Sequence, residues 1–234
     1  MYPVVILTGG LATRLHPLTK IMPKSLLLIA GKPFIEWQLD LLYKQGMKNI
    51  YICVGHMGNK INEYFKSKKF PGLNIKIFFD GKNLLGTGGA INKIQEHLPR
   101  NFFVLYGDTY LPIDYNDVLT FYKNQKDKSR ALMTIYKNNG KFDKSNVIYE
   151  NNKIIKYSKN FYDKKMQYIE YGLNILSKDL FKTYQRDDIF DLSDLFEKQV
   201  KMNMIDGYEV FERFYEIGTP GSLSSSEKYL KGLK

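Results

Sequence analysis

The sequence predicts an α/β fold, a Rossmann-like three-layer αβα sandwich around a mixed, mainly parallel central sheet, with antiparallel strands added in the second half. Strand-like and helix-like periods alternate through the first half, and the texture shifts to short strands after about residue 128. Across 234 residues, 44% hydrophobic and 15% aromatic side chains can fill a core of that size. One domain over residues 1–234 is the simplest organisation, with a nucleotide-type half over about 1–112 and an elaborated half over about 113–234.

The elements follow in order. Pro3 to Leu7 is an apolar run, then comes a loop, and "PFIEWQLDLLYKQG" carries apolar residues at Phe34, Trp37 and Leu41 before stopping at Gly46. This βα unit repeats as "NIYICVG" with "NKINEYFKS", as "NIKIFFDG" with "GAINKIQEHL", and as "NFFVLYGD" with "YNDVLTFYKN". Such alternation implies parallel pairing with helices on both faces of a sheet. Beyond it, "ALMTIYKN", "SNVIYE", "KIIKYS" and "YIEYGLNIL" are short strands divided by turns rich in Asn, Lys and Asp. Helices are expected near 177–184 and 191–201, a strand at 208–217 and a closing helix from about 222.

Composition narrows the function classes. The run Val4-Val5-Ile6-Leu7 is too short for an export signal or a membrane span, so a cytoplasmic protein that does not engage a membrane is expected. Cys53 stands alone in "IYICV" and reads as a small buried apolar residue, which fits a reducing compartment. The formal charge is +11, but only five of the 35 basic residues are arginine and the lysines are scattered. That pattern argues against a nucleic-acid partner and favours phosphate-bearing small molecules. His16, His56 and His97 show no metal-ligand spacing.

The loop leaving the first strand reads "LTGGLATRLHPLTKIMPKSLL", residues 7–27. In an open parallel sheet ligands bind at the carboxyl ends of the strands, and the first such loop commonly holds a phosphate. Gly9 and Gly10 have no Cβ to keep an anion from their N–H groups, and Thr13, Arg14 and Lys24 add side-chain donors. A P-loop is excluded because no second glycine is followed by lysine, and a dinucleotide fingerprint is excluded because the glycines are adjacent and a third is missing. Pro17 and Pro23 are expected to keep the stretch extended, so that the loop wraps its ligand.

The strings "LTGGLATRLHPLT" and "MPKSLL" resemble the signature of sugar-1-phosphate nucleotidylyltransferases, Gly-Gly-x-Gly-Thr-Arg-Leu-x-Pro-Leu-Thr followed by Pro-Lys. Ala12 stands where that family has glycine. The resemblance continues through "LLGTGGAI" (84–91), "LYGDTY" (105–110), "IIKYSKN" (154–160), "IEYGLNIL" (169–176) and "FYEIGTPGSL" (214–223). It implies Arg14 and Lys24 as catalytic groups, with Leu7, Thr8, Gly9, Gly10, Thr13, Arg14, Lys24, Gly86 and Thr87 around a nucleotide. It further implies Gly107, Lys159, Glu170, Tyr171 and Gly172 around a sugar phosphate, and Asp108 and Glu216 as ligands of Mg²⁺. The family has Glu-Lys-Pro where Ser158, Lys159 and Asn160 stand, with Lys156 the nearest substitute, and an aspartate where Glu216 stands.

The implied reaction is attack by a phosphate oxygen of a sugar phosphate on the α-phosphorus of a nucleoside triphosphate, with pyrophosphate leaving. The nucleophile is already anionic, so no serine, cysteine or histidine is needed, and the sequence offers no such constellation. The length, "PKSLLLIAGKPFIEWQLDLLYKQG" and "LLGTGGAI" look most similar to heptose-1-phosphate guanylyltransferases, which points to GTP. CTP, UTP or dTTP with another sugar or polyol phosphate is the alternative, and homo-oligomerisation is left open. A nucleic-acid-binding module would concentrate its arginines, and a catalytically dead homologue would be expected to lack Arg14, Lys24 or Asp108, all of which are present.

Overall fold

Val4–Leu7 is buried at every position, as a strand covered on both faces requires. Its side chains alternate: Val4 and Ile6 enter one apolar cluster, Val5 and Leu7 the other. In the computed structural model the described residues are 2–125 and 131–233, so the boundary expected near residue 128 lies outside them.

The first half runs β1 (Val4–Leu7), β2 (Leu28–Ile29), β3 (Lys32–Pro33), α1 (Phe34–Lys44), β4 (Asn49–Val54), α2 (Gly58–Ser67), β5 (Asn74–Phe79), α3 (Gly86–Lys93), β6 (Asn101–Tyr106), β7 (Thr109–Tyr110) and α4 (Tyr115–Lys123). The second runs β8 (Ala131–Lys137), β9 (Val147–Glu150), β10 (Lys153–Tyr157), β11 (Tyr168–Ser177), α5 (Leu192–Lys201), β12 (Ile205–Val210), β13 (Tyr215–Glu216) and α6 (Pro220–Lys231).

Strands β5, β4, β1 and β6 are mutually parallel, and β11 joins β6 antiparallel. Beyond β11, β8 pairs antiparallel and carries β12 in parallel, while β9 pairs with β11 at Tyr168 and carries β10 antiparallel. This is the mixed, mostly parallel sheet that the sequence predicts. Helices α1, α2 and α4 pack on one face through Leu39, Ile61 and Val118, and α3 and α5 on the other through Ile91 and Leu195. A third cluster seats α6 against α1 through Leu230, Phe34 and Trp37.

Local sequence explains the helix ends. Gly46 stops α1 in the left-handed region, and Thr219 caps α6 by accepting from the Ser222 amide, with Pro220 in the first turn. Three expectations are corrected. Residues 177–184 form one 3₁₀ turn at Lys178–Phe181 instead of a helix, with Ser177 accepting from the Asp179 amide at its start. The strand expected at 208–217 is split, because β13 leaves the sheet to pair with β7, Glu216 opposite Thr109. Pro17 and Pro23 punctuate the loop instead of extending it. Each starts a 3₁₀ turn, Leu18–Lys20 and Lys24–Leu26, because the proline φ suits a turn while the extended bias falls only on the residue before it.

Candidate active site

Strand order reverses beside β1, which lies between β4 and β6, and the carboxyl ends of β1 and β6 open into a cavity of about 420 Å³. Leu7 and the loop from Thr8 to Arg14 form one wall, apart from Leu11. Thr8 ties that loop to β4, its N–H and Oγ1 both donating to the Cys53 carbonyl at 2.9 Å, and the Gly9 carbonyl accepts from the His56 amide at 3.1 Å. Ala12 sits at φ 50°, ψ 40°, in the left-handed region that glycine tolerates best. Its carbonyl accepts from Thr19 Oγ1 at 2.8 Å, so the turn forms despite the side chain. Ala12→Gly is therefore expected to raise unfolding stability by up to about 1 kcal/mol, read by urea denaturation; a lower midpoint would contradict this account of the turn.

Lys24 and Asp108, 84 residues apart, meet in an ion pair of 2.6 Å at the cavity wall. Burial alone would lift the Asp108 pKa, but the Lys24 ammonium outweighs it and, with Thr109, holds the carboxyl below its ordinary value. Asp108 is placed by Gly107, whose amide donates to the Leu7 carbonyl at 2.9 Å and where any Cβ would overlap the Thr8 methyl. Arg14, at the end of the loop wall, lies beside Gly218.

Glu216 is brought to the same end of the sheet by the β7–β13 ribbon, and the Ile217 amide donates to the Asp108 carbonyl at 3.0 Å. Glu216 Oε2 accepts from the Gly218 amide at 2.6 Å. Asp108, in the turn before β7, and Glu216, on β13, thus lie on adjoining segments and carry the hard carboxylate oxygens that Mg²⁺ takes, although Asp108 lines the cavity and Glu216 is not among its lining residues.

Gly86 and Thr87 line the cavity, while a Cβ at Gly86 or Gly89 would collide with the Phe190 or Asp188 carbonyl and one at Gly88 with the Phe190 ring. The Thr87 amide and hydroxyl both donate to Asp191 Oδ1 at 3.0 Å, which fastens the glycine-rich turn to the start of α5. These glycines therefore serve packing as well as the cavity.

On the second-half side, Glu170 is buried and accepts from Tyr106, Tyr157 and Asn174, with Lys159 Nζ at 3.4 Å. Burial opposes its charge, yet Lys159 and the three donors hold its pKa below the ordinary value; burial likewise opposes the Lys159 charge, and Glu170 more than offsets it. Gly172, at φ 109°, sits within the register shift between Glu170 and Asn174. Of the residues expected around the sugar phosphate, Gly107 lines the cavity, whereas Lys159, Glu170, Gly172 and Tyr171 are not among its lining residues, and the Tyr171 side chain points away altogether. It is 1% exposed in the opposite cluster, with its ring against Tyr136 and Phe214. Lys156 is engaged elsewhere, paired with Asp163 at 3.3 Å.

Asp80, Tyr106 and Asp191 also line the cavity and were missed in the sequence. Asp80 follows β5 as Asp108 follows β6, so the same carboxyl-end logic could have found it. It is 8% exposed, accepts only a 3.3 Å bond from the Leu85 amide among the described residues, and burial raises its pKa.

A switch-point cavity that brings together Arg14 and a Lys24–Asp108 pair belongs to an α/β fold suited to work on phosphate groups by position and charge. The chain belongs to the nucleotidyl transferase family, which it matches over residues 3–223, and its class of reaction is sugar-phosphate nucleotidyl transfer. It is 31% identical over 218 residues to D-glycero-alpha-D-manno-heptose 1-phosphate guanylyltransferase of Campylobacter jejuni, covering 92% of this chain and 94% of that one. The enzyme of that name from Aneurinibacillus thermoaerophilus is 26% identical, with 97% of each chain covered. HddC from Yersinia pseudotuberculosis, solved alone and complexed with GMP-PN, shares the fold at TM-score 0.79 and 24% identity over 99% of this chain and 100% of that one. Among the described residues no helix is long and apolar enough to cross a membrane.

Proposed function

We propose that the protein transfers GMP from GTP to a heptose 1-phosphate, with Mg²⁺, releasing pyrophosphate and yielding a nucleotide-activated heptose for surface polysaccharide such as capsule. The two guanylyltransferases that it resembles over nearly their whole length support the pair. The observation that carries the choice of base is Asp80. This carboxylate lies at the cavity wall against Gly55 and Gly9, with one weak amide bond and acceptor capacity to spare. Guanine alone among the common bases offers two adjacent donors, N1–H and the 2-amino group, to a carboxylate, whereas uracil and thymine offer one and cytosine and adenine put a ring acceptor beside theirs.

In the reaction an anionic oxygen of the acceptor phosphate forms a bond to the α-phosphorus while the bond from that phosphorus to the β-bridging oxygen breaks, and the electron pair leaves with pyrophosphate. Lys24, rigid against Asp108, stabilises charge building on the α-phosphate, and Arg14 neutralises the departing phosphates. Asp108 and Glu216 would hold Mg²⁺, which supplies charge neutralisation between two polyanions.

ITP lacks only the 2-amino group of GTP. The unmodified protein is expected to favour GTP over ITP by about 10- to 100-fold in kcat/KM, and Asp80→Asn to bring that ratio close to one, since a single lost bond to a charged acceptor is of this size. A GTP/ITP ratio left unchanged by the substitution would contradict the assignment of the base.

A further inference from the structure

We infer that Glu170 is a positioning residue for the acceptor end of the cavity, holding the Lys159 ammonium and Tyr106 in place without itself touching the sugar; this rests on the reaction proposed above. A carboxylate has about four lone-pair sites, and here all four are occupied. Oε1 accepts from Tyr106 Oη at 2.9 Å and Asn174 Nδ2 at 3.0 Å, while Oε2 accepts from Tyr157 Oη at 2.8 Å and faces Lys159 Nζ at 3.4 Å. Its side chain is 2% exposed, which leaves no surface for a sugar hydroxyl.

The cluster reaches the cavity through Tyr106, with Lys159 outside the lining itself. Tyr106 lines the cavity and directly precedes Gly107 and Asp108, and the Lys159 ammonium lies 5.0 Å from its ring centroid. The Lys159 side chain is partly exposed, and an ammonium has three donors, more than the Glu170 contact uses. Ser158 carries no charge to pair with Lys159, and its hydroxyl accepts from the Asn160 and Phe161 amides. The carboxylate comes instead from β11, where the Asn174 amide, across the register shift at Gly172, donates to Glu170 Oε1. Held by Glu170, the Lys159 ammonium meets an acceptor phosphate with its position already fixed, so less ordering is needed on binding.

The test measures initial rates with GTP and either heptose 1-phosphate or mannose 1-phosphate. Glu170→Gln is expected to raise the acceptor KM by about 10- to 100-fold while the GTP KM moves by less than about threefold. Adding Glu170→Gln to Lys159→Ala should change the acceptor KM by less than about threefold, because the two act as a unit. Tyr157→Phe removes one donor from Glu170 but keeps the Lys159 pair, and should leave the acceptor KM within about threefold. Losses that add fully in the double variant, or a Glu170→Gln penalty that vanishes for an acceptor lacking one sugar hydroxyl, would overturn the inference. So would an equal rise in KM for Tyr157→Phe.

A second readout needs no turnover. Acetic anhydride should label Lys159, whose ammonium is paired with Glu170, more slowly than lysines outside that pair such as Lys82, and faster after Glu170→Gln; equal labelling in both proteins would overturn the role. Absence of pyrophosphate release by the unmodified protein would instead contradict the reaction, so the two failures are distinguishable.

Discussion

Lys24→Ala is expected to lower kcat by about 10²- to 10³-fold, the scale on which one preorganised electrostatic donor acts, with smaller change in the KM for GTP. The side chain is 15% exposed and held 2.6 Å from Asp108, so its ammonium has little freedom to lose when the reaction begins. Charge on the α-phosphate grows towards the transition state, which is why kcat carries the loss. Lys24→Arg should recover little, since a planar fork cannot replace a compact ammonium in that space. Rapid-quench measurement of the chemical step checks this, and near-normal turnover in Lys24→Ala would remove the residue from the mechanism.

Asp108→Asn should be at least as damaging, lowering kcat/KM by about 10³-fold and shifting the Mg²⁺ dependence to higher concentration, because a metal site contributes several kcal/mol of charge stabilisation. Asparagine keeps the shape and one oxygen, so the β7–β13 ribbon and the bond from the Ile217 amide to the residue-108 carbonyl should survive. The substitution removes the charge that Lys24 pairs with as well as a hard ligand. An Mg²⁺ titration of pyrophosphate release separates these: a lower plateau with an unchanged midpoint would show that Asp108 serves Lys24 and not the ion.

The parts of this architecture that were legible in the sequence are those in which local pattern and global role coincide. The fully apolar Val4–Leu7 run reads as a strand buried on both sides, and it is one. The loop after it reads as a phosphate binder, and Arg14 and Lys24 do converge on a cavity. What was illegible depends on distant partners. No local signal shows that Phe211–Phe214 breaks a strand so that Glu216 can pair beside β7, or that residues 188–190 demand the glycines of the 86–89 turn. Tyr171 and Glu170 adjoin in sequence, yet the side-chain alternation of a strand sends one into the core and the other into the Lys159 cluster. Ala12 departs from the family pattern in residue type while its backbone keeps the left-handed turn, and that outcome depends on φ, which a sequence does not display.

The most direct measurement is pyrophosphate release by the unmodified protein with Mg²⁺, each of GTP, CTP, UTP and dTTP, and a panel of heptose, hexose and polyol phosphates. The mechanism predicts release that is greatest with GTP and heptose 1-phosphate and that falls to near background in Lys24→Ala. Release with no pair, or release indifferent to Lys24, would contradict it.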